Sequence, residues 1–428
     1  MALVFIISAL YCQTLAAYSV FSIPIPWLST AFIILAYAST LRLKTNRIVW
    51  MRPLYVIVVW SIIISAVNIA VGTVSQMPSL ATLPYEYFIG VRYISLLNYI
   101  LITVAVYKYC INCGVEKLAA SILIILVAVS VSAIYIYIAQ KIGLWEPLRT
   151  RMGTGGQDFT TTEVSFQYAF HRALGTFQEP SHLAQWMLAP LLMASALYMR
   201  YRRGAILVVI MIALSVLVLT GSLLGIIGFA LGIMSIAIFS RNTRKIMLAS
   251  IATSIWVGLF LTSYMFSIDY IGTIMPRLEE LGSGVQNTNR SYVWWYLIES
   301  SPKIIGYGIG NSNIVLSEYL KNIMISSHLN LFVNIIYSLG VVGFAMIGLF
   351  MAYPFLAYIN CRELSKDYMF IGCVAGHVAW IVCYFGNAEE LNIIHGVCIG
   401  MLWARVRIKN AGAYINTCDD RRYAIRQR

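Results

Sequence analysis

Long apolar runs recur along most of the chain, and they constrain its fold more than any other feature of the sequence. Many of them approach about 20 residues, the length that an α-helix needs to cross a hydrocarbon core about 30 Å thick. With 60% hydrophobic residues, 11% charged residues and a mean hydropathy of +0.78, the chain does not fit the composition of a soluble protein. The sequence therefore predicts an all-α, polytopic integral membrane protein.

Charges bound these runs and divide them into about twelve candidate transmembrane helices within a single domain, residues 1–428. The candidates lie near residues 2–23, 27–41, 53–74, 88–107, 118–140, 182–199, 205–219, 222–239, 246–266, 329–355, 368–386 and 393–407. The first run has no basic segment before it and no clear small-residue cleavage site after it. We therefore interpret it as a retained helix and not as a signal peptide.

Basic residues are sorted to one side of this predicted membrane. When the connections are numbered alternately, most of the 30 Lys and Arg residues fall in the set that follows the even-numbered helices. An excess of Lys and Arg in short loops marks the cytoplasmic side, so both termini are predicted to be cytoplasmic. The net charge of +13 then requires no nucleic acid. Two long connections, about 141–181 and 267–328, remain on the outer face, and we expect function there.

A charged passage stands out in the first long connection, between residues 172 and 182. It contains Arg172, Glu179 and His182, and a helix is expected to begin at Glu179-Pro180 because proline suits the first helical turn. On the predicted topology this helix starts at the outer face. Its unpaired N–H groups and the positive end of its dipole attract anions there. The passage therefore predicts a site for a phosphate-bearing substrate.

Three other helices expected to start at the same face also carry a basic or titratable side chain near their first turn. Arg92 lies about one turn inside the fourth helix, and His395 lies in the first turn of the last helix, after Glu389-Glu390. His328 follows Ser326-Ser327, where a serine is a plausible N-cap. We expect these side chains to converge at one level of the membrane and to contribute to the same site.

Several chemistries are excluded by the absence of their motifs. The sequence has no His-Glu-x-x-His zinc motif, no Gly-x-Ser-x-Gly elbow, no Walker loop and no Asp-x-Asp pattern. Its eight cysteines are scattered, and the one close pair, Cys110 and Cys113, lacks a second pair to complete a metal site. His377, near the middle of an apolar run, is interpreted as a hydrogen-bonded core residue. We therefore expect neither a metal nor another cofactor.

Three passages follow one another between residues 170 and 350. The first is Arg172-Ala-Leu-Gly175-Thr-Phe177, with Pro180 and a helix after it. The second runs from Asn289-Arg290-Ser-Tyr-Val-Trp294 through Pro302 to Gly306-Tyr-Gly308-Ile-Gly310, and the third is His328-Leu-Asn330-Leu-Phe332, leading to Leu339-Gly340-Val-Val-Gly343. In this order they resemble the O-antigen polymerase and O-antigen ligase superfamily, membrane enzymes that move glycans from undecaprenyl pyrophosphate. The family pattern has its histidine directly before asparagine, whereas Leu329 intervenes here.

The resemblance implies that Arg172 and Arg290 bind the pyrophosphate of the lipid-linked donor and that His328 acts near the acceptor or the leaving group. A guanidinium stays charged and grips phosphate oxygens through two parallel hydrogen bonds, so it stabilises a departing pyrophosphate without a metal. A base must also take the proton of the acceptor hydroxyl, and His328 and Glu179 are both candidates. Further substrate contacts are expected from four residues. They are Arg92, His182, Tyr307 and His395.

The implied activity is that of a glycosyltransferase that polymerises O-antigen or a related surface polysaccharide at the periplasmic face of the bacterial inner membrane. Glycan would pass from undecaprenyl pyrophosphate to a lipid-linked acceptor, with a flippase and a chain-length regulator as partners. One alternative is a ligase that moves the finished chain to the lipid A core. A polysaccharide flippase or other transporter is less favoured, because Arg92 is nearly the only predicted intramembrane charge.

Overall fold

The computed structural model of the protein is mostly helical. It describes residues 1–21, 23–43, 48–72, 77–79, 84–147, 149–151, 172–240, 292–300, 304–386 and 388–426. The helices in these ranges are α1 Ala2–Thr14, α2 Ile25–Thr40, α3 Arg52–Val71, α4 Tyr85–Cys113, α5 Val115–Ile142, α6 Pro180–Tyr201, α7 Gly204–Leu219, α8 Leu223–Phe239, α9 Tyr292–Glu299, α10 Asn311–Tyr319, α11 Leu331–Asn360, α12 Tyr368–Gly386 and α13 Ile393–Arg426. Short 3-10 helices cover Val49–Met51 and Arg362–Lys366, and strands β1 Ser19–Val20 and β2 Ile23–Pro24 form an antiparallel pair.

A helix lies at every predicted span that falls within the described residues, whereas the ninth span, 246–266, lies outside them. Five helices of the described part are long and apolar enough to cross a membrane: α4, α5, α11, α12, and α3 together with the short 3-10 helix before it. Four shorter apolar helices accompany them, namely α1, α2, α7 and α8. Two helices, α9 and α10, lie within the predicted second long loop, so that loop is partly ordered into helix.

The first predicted span is too long. The α1 helix ends at Thr14, and the chain then reverses through the β1–β2 hairpin before α2 begins. Pro24 and Pro26 lack the N–H group that a continuing helix would need, so the segment cannot extend α1. The hairpin region is held from elsewhere in the chain: the Thr176 hydroxyl donates to the Thr14 carbonyl at 2.5 Å, and the Ala17 N–H donates to the Thr176 carbonyl at 3.0 Å.

The core of the bundle is centred on α12. This helix is buried along most of its length and packs against α6, α8, α11 and α13, while α13 also packs along α4 and α1 along α2. Small residues on α12 face α6 and let the two backbones approach closely. The dispersion contacts made in this way stabilise a helix pair in lipid, where the hydrophobic effect does not drive helices together. The ends of α12 are therefore firmly placed, and the loop that follows it carries the charged residues described below.

A break divides α11 at Gly340, whose backbone has φ 68° and ψ −166°. A side chain there would place its Cβ 2.0 Å from the Ile304 carbonyl oxygen, so both the conformation and the close approach require glycine. The 304–310 loop lies against this break, and the Tyr307 N–H donates to the Tyr337 carbonyl at 2.8 Å. The Gly-x-Gly-x-Gly passage and the α11 segment around Gly340 thus form one packed unit.

The predicted starts of two helices have different outcomes. The α6 helix begins at Pro180, with Glu179 at the N-cap position, which confirms the prediction. The α11 helix begins at Leu331 and is capped by Asn330, whose side chain accepts hydrogen bonds from the N–H groups of the first turn. A cap at Ser326 or Ser327 is therefore wrong. The Ser327 hydroxyl instead donates to Glu389 at 2.8 Å and is not placed to cap α11.

Candidate functional site

A pocket with a cavity volume of about 60 Å³, open on one side, lies between α3, α4, α10, α11 and the loop that joins α12 to α13. Most of its lining is apolar. The polar and charged side chains that line it are Arg92, Ser95, Asn313, Asn334, Ser338, Glu389 and Glu390. A mostly apolar pocket with a few convergent polar groups is typical of small-molecule binding sites, so this pocket is the candidate functional site.

Arg92 reaches the pocket wall from α4 and is paired with two carboxylates. Its Nη1 lies 2.8 Å from Glu389 Oε1 and also contacts Glu390 Oε1. The guanidinium lies over the Phe88 ring, with 5.0 Å from its carbon to the ring centroid. Its side chain is only 17% exposed, and a charge so buried needs such partners. Arg92, Glu389 and Glu390 are called the arginine–glutamate cluster below.

Glu389 is the hub of this cluster. Its Oε2 accepts three further hydrogen bonds, from Asn313 Nδ2 at 3.1 Å, from the Ser327 hydroxyl at 2.8 Å and from the His328 N–H at 2.8 Å. Burial alone would raise the pKa of Glu389, but Arg92 and these donors favour the charged form and hold the pKa below its usual value. The carboxylate is therefore ionised, and it ties α4, α10 and the segment before α11 together.

His328 lies beside this hub but inside an aromatic cluster. Its fully buried ring stacks parallel to Tyr337, with centroids 5.9 Å apart, and Tyr296 lies 6.2 Å away. Within the described residues neither ring nitrogen makes a well-aligned hydrogen bond, although the Ser312 backbone lies close to the ring. Burial lowers the pKa of His328 to about 4, against the opposing pull of Glu389. The imidazole is thus neutral at physiological pH and is in the form that accepts a proton.

A second group of predicted residues gathers at the start of α6. Arg172 donates through Nε to the Thr220 carbonyl at 2.6 Å and through Nη2 to the Gly221 carbonyl at 3.3 Å, in the turn between α7 and α8. Glu179 accepts a hydrogen bond from the Ser181 hydroxyl at 3.0 Å, and the His182 N–H donates to the Glu179 carbonyl. The carbonyls of Thr220 and Gly221 thus orient the Arg172 side chain.

The end of α12 connects the two groups. The Leu224 side chain, at the start of α8, packs directly on Gly386. One residue earlier, the Phe385 carbonyl accepts a hydrogen bond from Asn330 Nδ2 at 2.9 Å, close to His328. The α6 start and the arginine–glutamate cluster therefore lie at the same end of the bundle, as the predicted topology requires of its outer helix starts.

His395 lies in the core and does not line the pocket. Its Nδ1 meets the hydroxyls of Tyr384 at 2.8 Å and Tyr99 at 3.1 Å, and its Nε2 lies 2.9 Å from His377 Nδ1. His377 Nε2 in turn lies 2.9 Å from the Met351 carbonyl. Because a carbonyl only accepts, His377 Nε2 carries the hydrogen, so its Nδ1 accepts from His395 and the His395 Nδ1 accepts from a tyrosine. His377 is a hydrogen-bonded core residue, and His395 shares its environment.

The structure thus divides the predicted site residues. Arg92 and His328 are joined through Glu389, and the Tyr307 backbone binds Tyr337, on which His328 stacks. The residues at the α6 start form the second group described above. Arg290 lies outside the described residues.

Sequence reasoning noted Glu389 but gave it no role, and it did not single out Asn313. One signal for Glu389 was available: a predicted intramembrane arginine needs an anionic partner, and Glu389-Glu390 is an acidic pair at an expected helix start on the same face. No comparable signal marks Asn313, whose contacts arise from the packing of α10 alone.

Within the described residues, no group of three or more His, Cys, Asp or Glu side chains is arranged to hold a metal ion. The described side chains at this end of the bundle supply guanidinium, carboxylate, amide, hydroxyl and imidazole groups. In comparisons with known proteins, no protein-family model matches the chain, and none of the curated proteins matches it.

Proposed function

We propose that the protein is a membrane glycosyltransferase of the O-antigen polymerase type. It would transfer the growing glycan from undecaprenyl pyrophosphate to a lipid-linked acceptor at the periplasmic face of the bacterial inner membrane. The observation that carries the proposal is the contact between two of the passages on which the family resemblance rests. The glycine-rich passage 306–310 and the passage that begins at His328 are brought together in the wall of one pocket.

The contact between these passages depends on their glycines. A Cβ on Gly306 would lie 2.3 Å from the Ser338 carbonyl carbon, and the Gly308 N–H donates to the Ser338 carbonyl at 2.8 Å. Residues that look like unrelated motifs in the sequence are therefore one structural unit. A shared unit at a pocket supports a shared function for the passages.

Arg172 is the described residue best suited to the donor pyrophosphate. Its Nε and Nη2 are held by the carbonyls of Thr220 and Gly221, so its orientation is set before a substrate arrives. A preorganised cation beside the departing pyrophosphate stabilises the negative charge that develops in the transition state. Arg290 completes the pair in the proposal, as the family resemblance implies.

The acceptor hydroxyl must lose a proton, and two bases are candidates. His328 is neutral because burial lowers its pKa to about 4, and the same burial makes it a weak base in this conformation. A role as the base therefore requires a rearrangement that exposes its ring to the substrate. Glu179 lies at the start of α6, close in sequence to Arg172. His328→Gln and Glu179→Gln, made separately, distinguish them: the variant of the true base loses chain elongation at normal protein level.

Deletion of the gene tests the function as a whole. Lipopolysaccharide that carries only a single repeat unit on its core is the expected result, and a full ladder of chain lengths contradicts polymerisation. Core with no repeat unit would favour a ligase or a flippase. These two differ in whether lipid-linked polymer accumulates at the periplasmic face, as it does when a ligase is missing.

The arginines are tested by substitution in the same assay. Arg172→Ala and Arg290→Ala at normal protein level are each expected to abolish long chains, because alanine cannot replace the charge at the pyrophosphate. Arg200→Ala is a matched control, since Arg200 lies in the last turn of α6, at the opposite end from Arg172. An unchanged ladder in Arg172→Ala or Arg290→Ala removes that residue from the donor site.

A further inference from the structure

The pocket beside the arginine–glutamate cluster has a charge that does not suit phosphate. Among the residues that line it, one guanidinium and two carboxylates leave a net charge of −1. Glu389 is committed to four donors, and Glu390 is the more exposed of the two carboxylates, at 34%. An anion that entered would meet Glu390 at close range, and like charges repel strongly where water is scarce.

The pocket wall also encloses a hydrogen-bond acceptor that has no donor among the described residues. Asn313 is fully buried, and its Nδ2 donates to the Ser326 carbonyl at 3.0 Å and to Glu389 Oε2 at 3.1 Å. Because both partners only accept hydrogen bonds, the orientation of the amide is determined. Its Oδ1 has no hydrogen-bond partner among the described residues. Buried acceptors are nearly always paired, so this oxygen indicates a missing donor.

Two of the remaining polar side chains of the pocket wall, Asn334 and Ser338, are paired with each other. Asn334 Oδ1 accepts from the hydroxyls of Ser312 and Ser338, at 3.1 and 2.8 Å, and Asn334 Nδ2 donates to the Glu389 carbonyl at 2.9 Å. The wall thus presents one accessible acceptor, at Glu390, and one enclosed acceptor, at Asn313 Oδ1, within an otherwise mostly apolar lining. A ligand that fits this wall donates hydrogen bonds, carries no negative charge and has apolar faces.

Sugars have these properties, since their hydroxyls donate and their ring C–H groups are apolar. We propose that this pocket binds the sugar of the lipid-linked acceptor, with the Glu390 carboxylate accepting a hydrogen bond from one hydroxyl and the enclosed Asn313 Oδ1 accepting a second after a small shift of the pocket wall. This inference rests on the proposed function, because it names the acceptor of that reaction. It separates the two substrates: the pyrophosphate of the donor lies at Arg172, and the acceptor sugar lies in the pocket that Arg92 lines.

The proposal is tested by binding, without polymerisation. The probe is the set of oligosaccharide repeat units released by mild acid from the surface polysaccharide of the source bacterium, free of lipid and pyrophosphate. Calorimetry with the purified full-length protein in detergent is expected to detect binding. Glu390→Gln should weaken it about tenfold, the equivalent of one charge-assisted hydrogen bond. Asn313→Ala should weaken it at least as much.

Two further variants control this experiment. Ile309→Trp places a large ring in the pocket wall without changing its charge and is expected to abolish binding. Glu363→Gln alters a carboxylate in an exposed ion pair with Lys366, away from the pocket, and should bind as the wild type does. Asn313→Ala also removes two hydrogen bonds, so its thermal unfolding is compared with that of the wild type. Glu390→Gln keeps the test valid if Asn313→Ala does not fold.

Three results would overturn the proposal. They are no binding of the oligosaccharide to the wild type, undiminished binding to folded Glu390→Gln and Ile309→Trp, and tighter binding of inorganic pyrophosphate that is lost in Arg92→Ala. Failure of the proposed function looks different. A full lipopolysaccharide ladder after gene deletion contradicts the polymerase while sugar binding persists, whereas a lost ladder without sugar binding contradicts the pocket alone.

Discussion

Two buried arginines, each held by two carboxylates, differ in what surrounds them. One is Arg92 of the arginine–glutamate cluster. The other is Arg405, which pairs with Asp367 and Glu116 and forms what we call the arginine–aspartate cluster. The arginine side chains are equally buried, at 17% and 16% exposed. Burial of the cation therefore does not distinguish them.

The arginine–aspartate cluster is closed. Asp367 Oδ2 accepts from Arg405 Nε at 2.7 Å and Nη2 at 2.6 Å, while its Oδ1 accepts the N–H groups of Met369 and Phe370 in the first turn of α12. The carboxylate thus pairs a charge and caps a helix at once, and it is only 1% exposed. Glu116 is 68% exposed and lies 3.5 Å from Arg405. These contacts hold α13 against the starts of α12 and α5.

The arginine–glutamate cluster, by comparison, borders a pocket. Its second carboxylate, Glu390, is only half as exposed as Glu116. It lines a pocket together with Asn313, whose Oδ1 has no hydrogen-bond partner among the described residues. Similar charges therefore have two roles. The arginine–aspartate cluster is a clamp between helices, and the arginine–glutamate cluster is part of the wall of the proposed binding pocket. Substitutions in the clamp should change stability alone, and substitutions in the wall should also change binding.

Arg92→Ala should have the largest effect. It leaves Glu389 ionised and buried beside Glu390, and loss of one partner from a buried pair typically costs about 3–5 kcal/mol. Unfolding of the purified protein in detergent measures the loss, and the lipopolysaccharide ladder should shorten at matched protein level. A loss below about 1 kcal/mol would show that the cluster is not a buried pair of this kind.

Acidification should destabilise the protein through His328. Burial lowers its pKa from 6.5 to about 4, so the unfolded chain binds the extra proton first, and stability falls as the pH drops from about 6.5 to 4. The shift corresponds to about 3 kcal/mol. His328→Phe keeps the stacking on Tyr337 and should make this fall in stability less steep. If the unfolding free energy of the variant falls as steeply as that of the wild type, His328 is not its source.

Arg405→Ala should cost less, about 2–3 kcal/mol, because Glu116 can turn to solvent and only Asp367 is then left buried without its cation, whereas Arg92→Ala leaves two neighbouring carboxylates. Asp367→Asn in the same background should recover part of the loss, since its Oδ1 still caps α12 and no buried charge remains. Chain length should be unchanged in both. A shortened ladder in the folded double variant would break the distinction between clamp and wall.

The smallest effects on stability are expected at the outer carboxylates. Glu390→Gln and Glu116→Gln should each change the unfolding free energy by about 1 kcal/mol or less, because partly exposed pairs contribute little. Their effects on sugar binding should differ, with a loss of about tenfold in Glu390→Gln and none in Glu116→Gln. Equal sugar affinities of the two variants would contradict a role for Glu390 in the pocket.

Local features of the fold were predictable from sequence, whereas features that depend on distant contacts were not. Apolar runs and proline placed the helices and the start of α6 at Pro180. The break at Gly340 arises from the approach of the 304–310 loop, which no local pattern shows. Likewise, Ser327 is a good helix cap by type, but Glu389 takes its hydroxyl and Asn330 caps the helix instead.

The candidate site shows the same limit. Arg92 and His328 were expected at one level, and they do meet through Glu389. Contacts in this cluster join distant parts of the chain: Arg92 and Glu390, for example, are 298 positions apart. Neither helix propensity nor residue spacing reveals such contacts. His395 was expected at the substrate, yet the tyrosines of α4 and α12 surround it in the core. A titratable side chain near a helix start does not by itself show which way that helix is turned.

The histidine chain in the core has a consequence for motion. The Asn392 N–H donates to the Tyr384 hydroxyl at 3.1 Å, and from there every hydrogen bond points the same way, through His395 and His377 to the Met351 carbonyl. A carbonyl can never donate, so the series has one direction and cannot run in reverse. It joins α11, α12 and α13 through a continuous series of buried hydrogen bonds. We therefore expect these three helices to move together as one block.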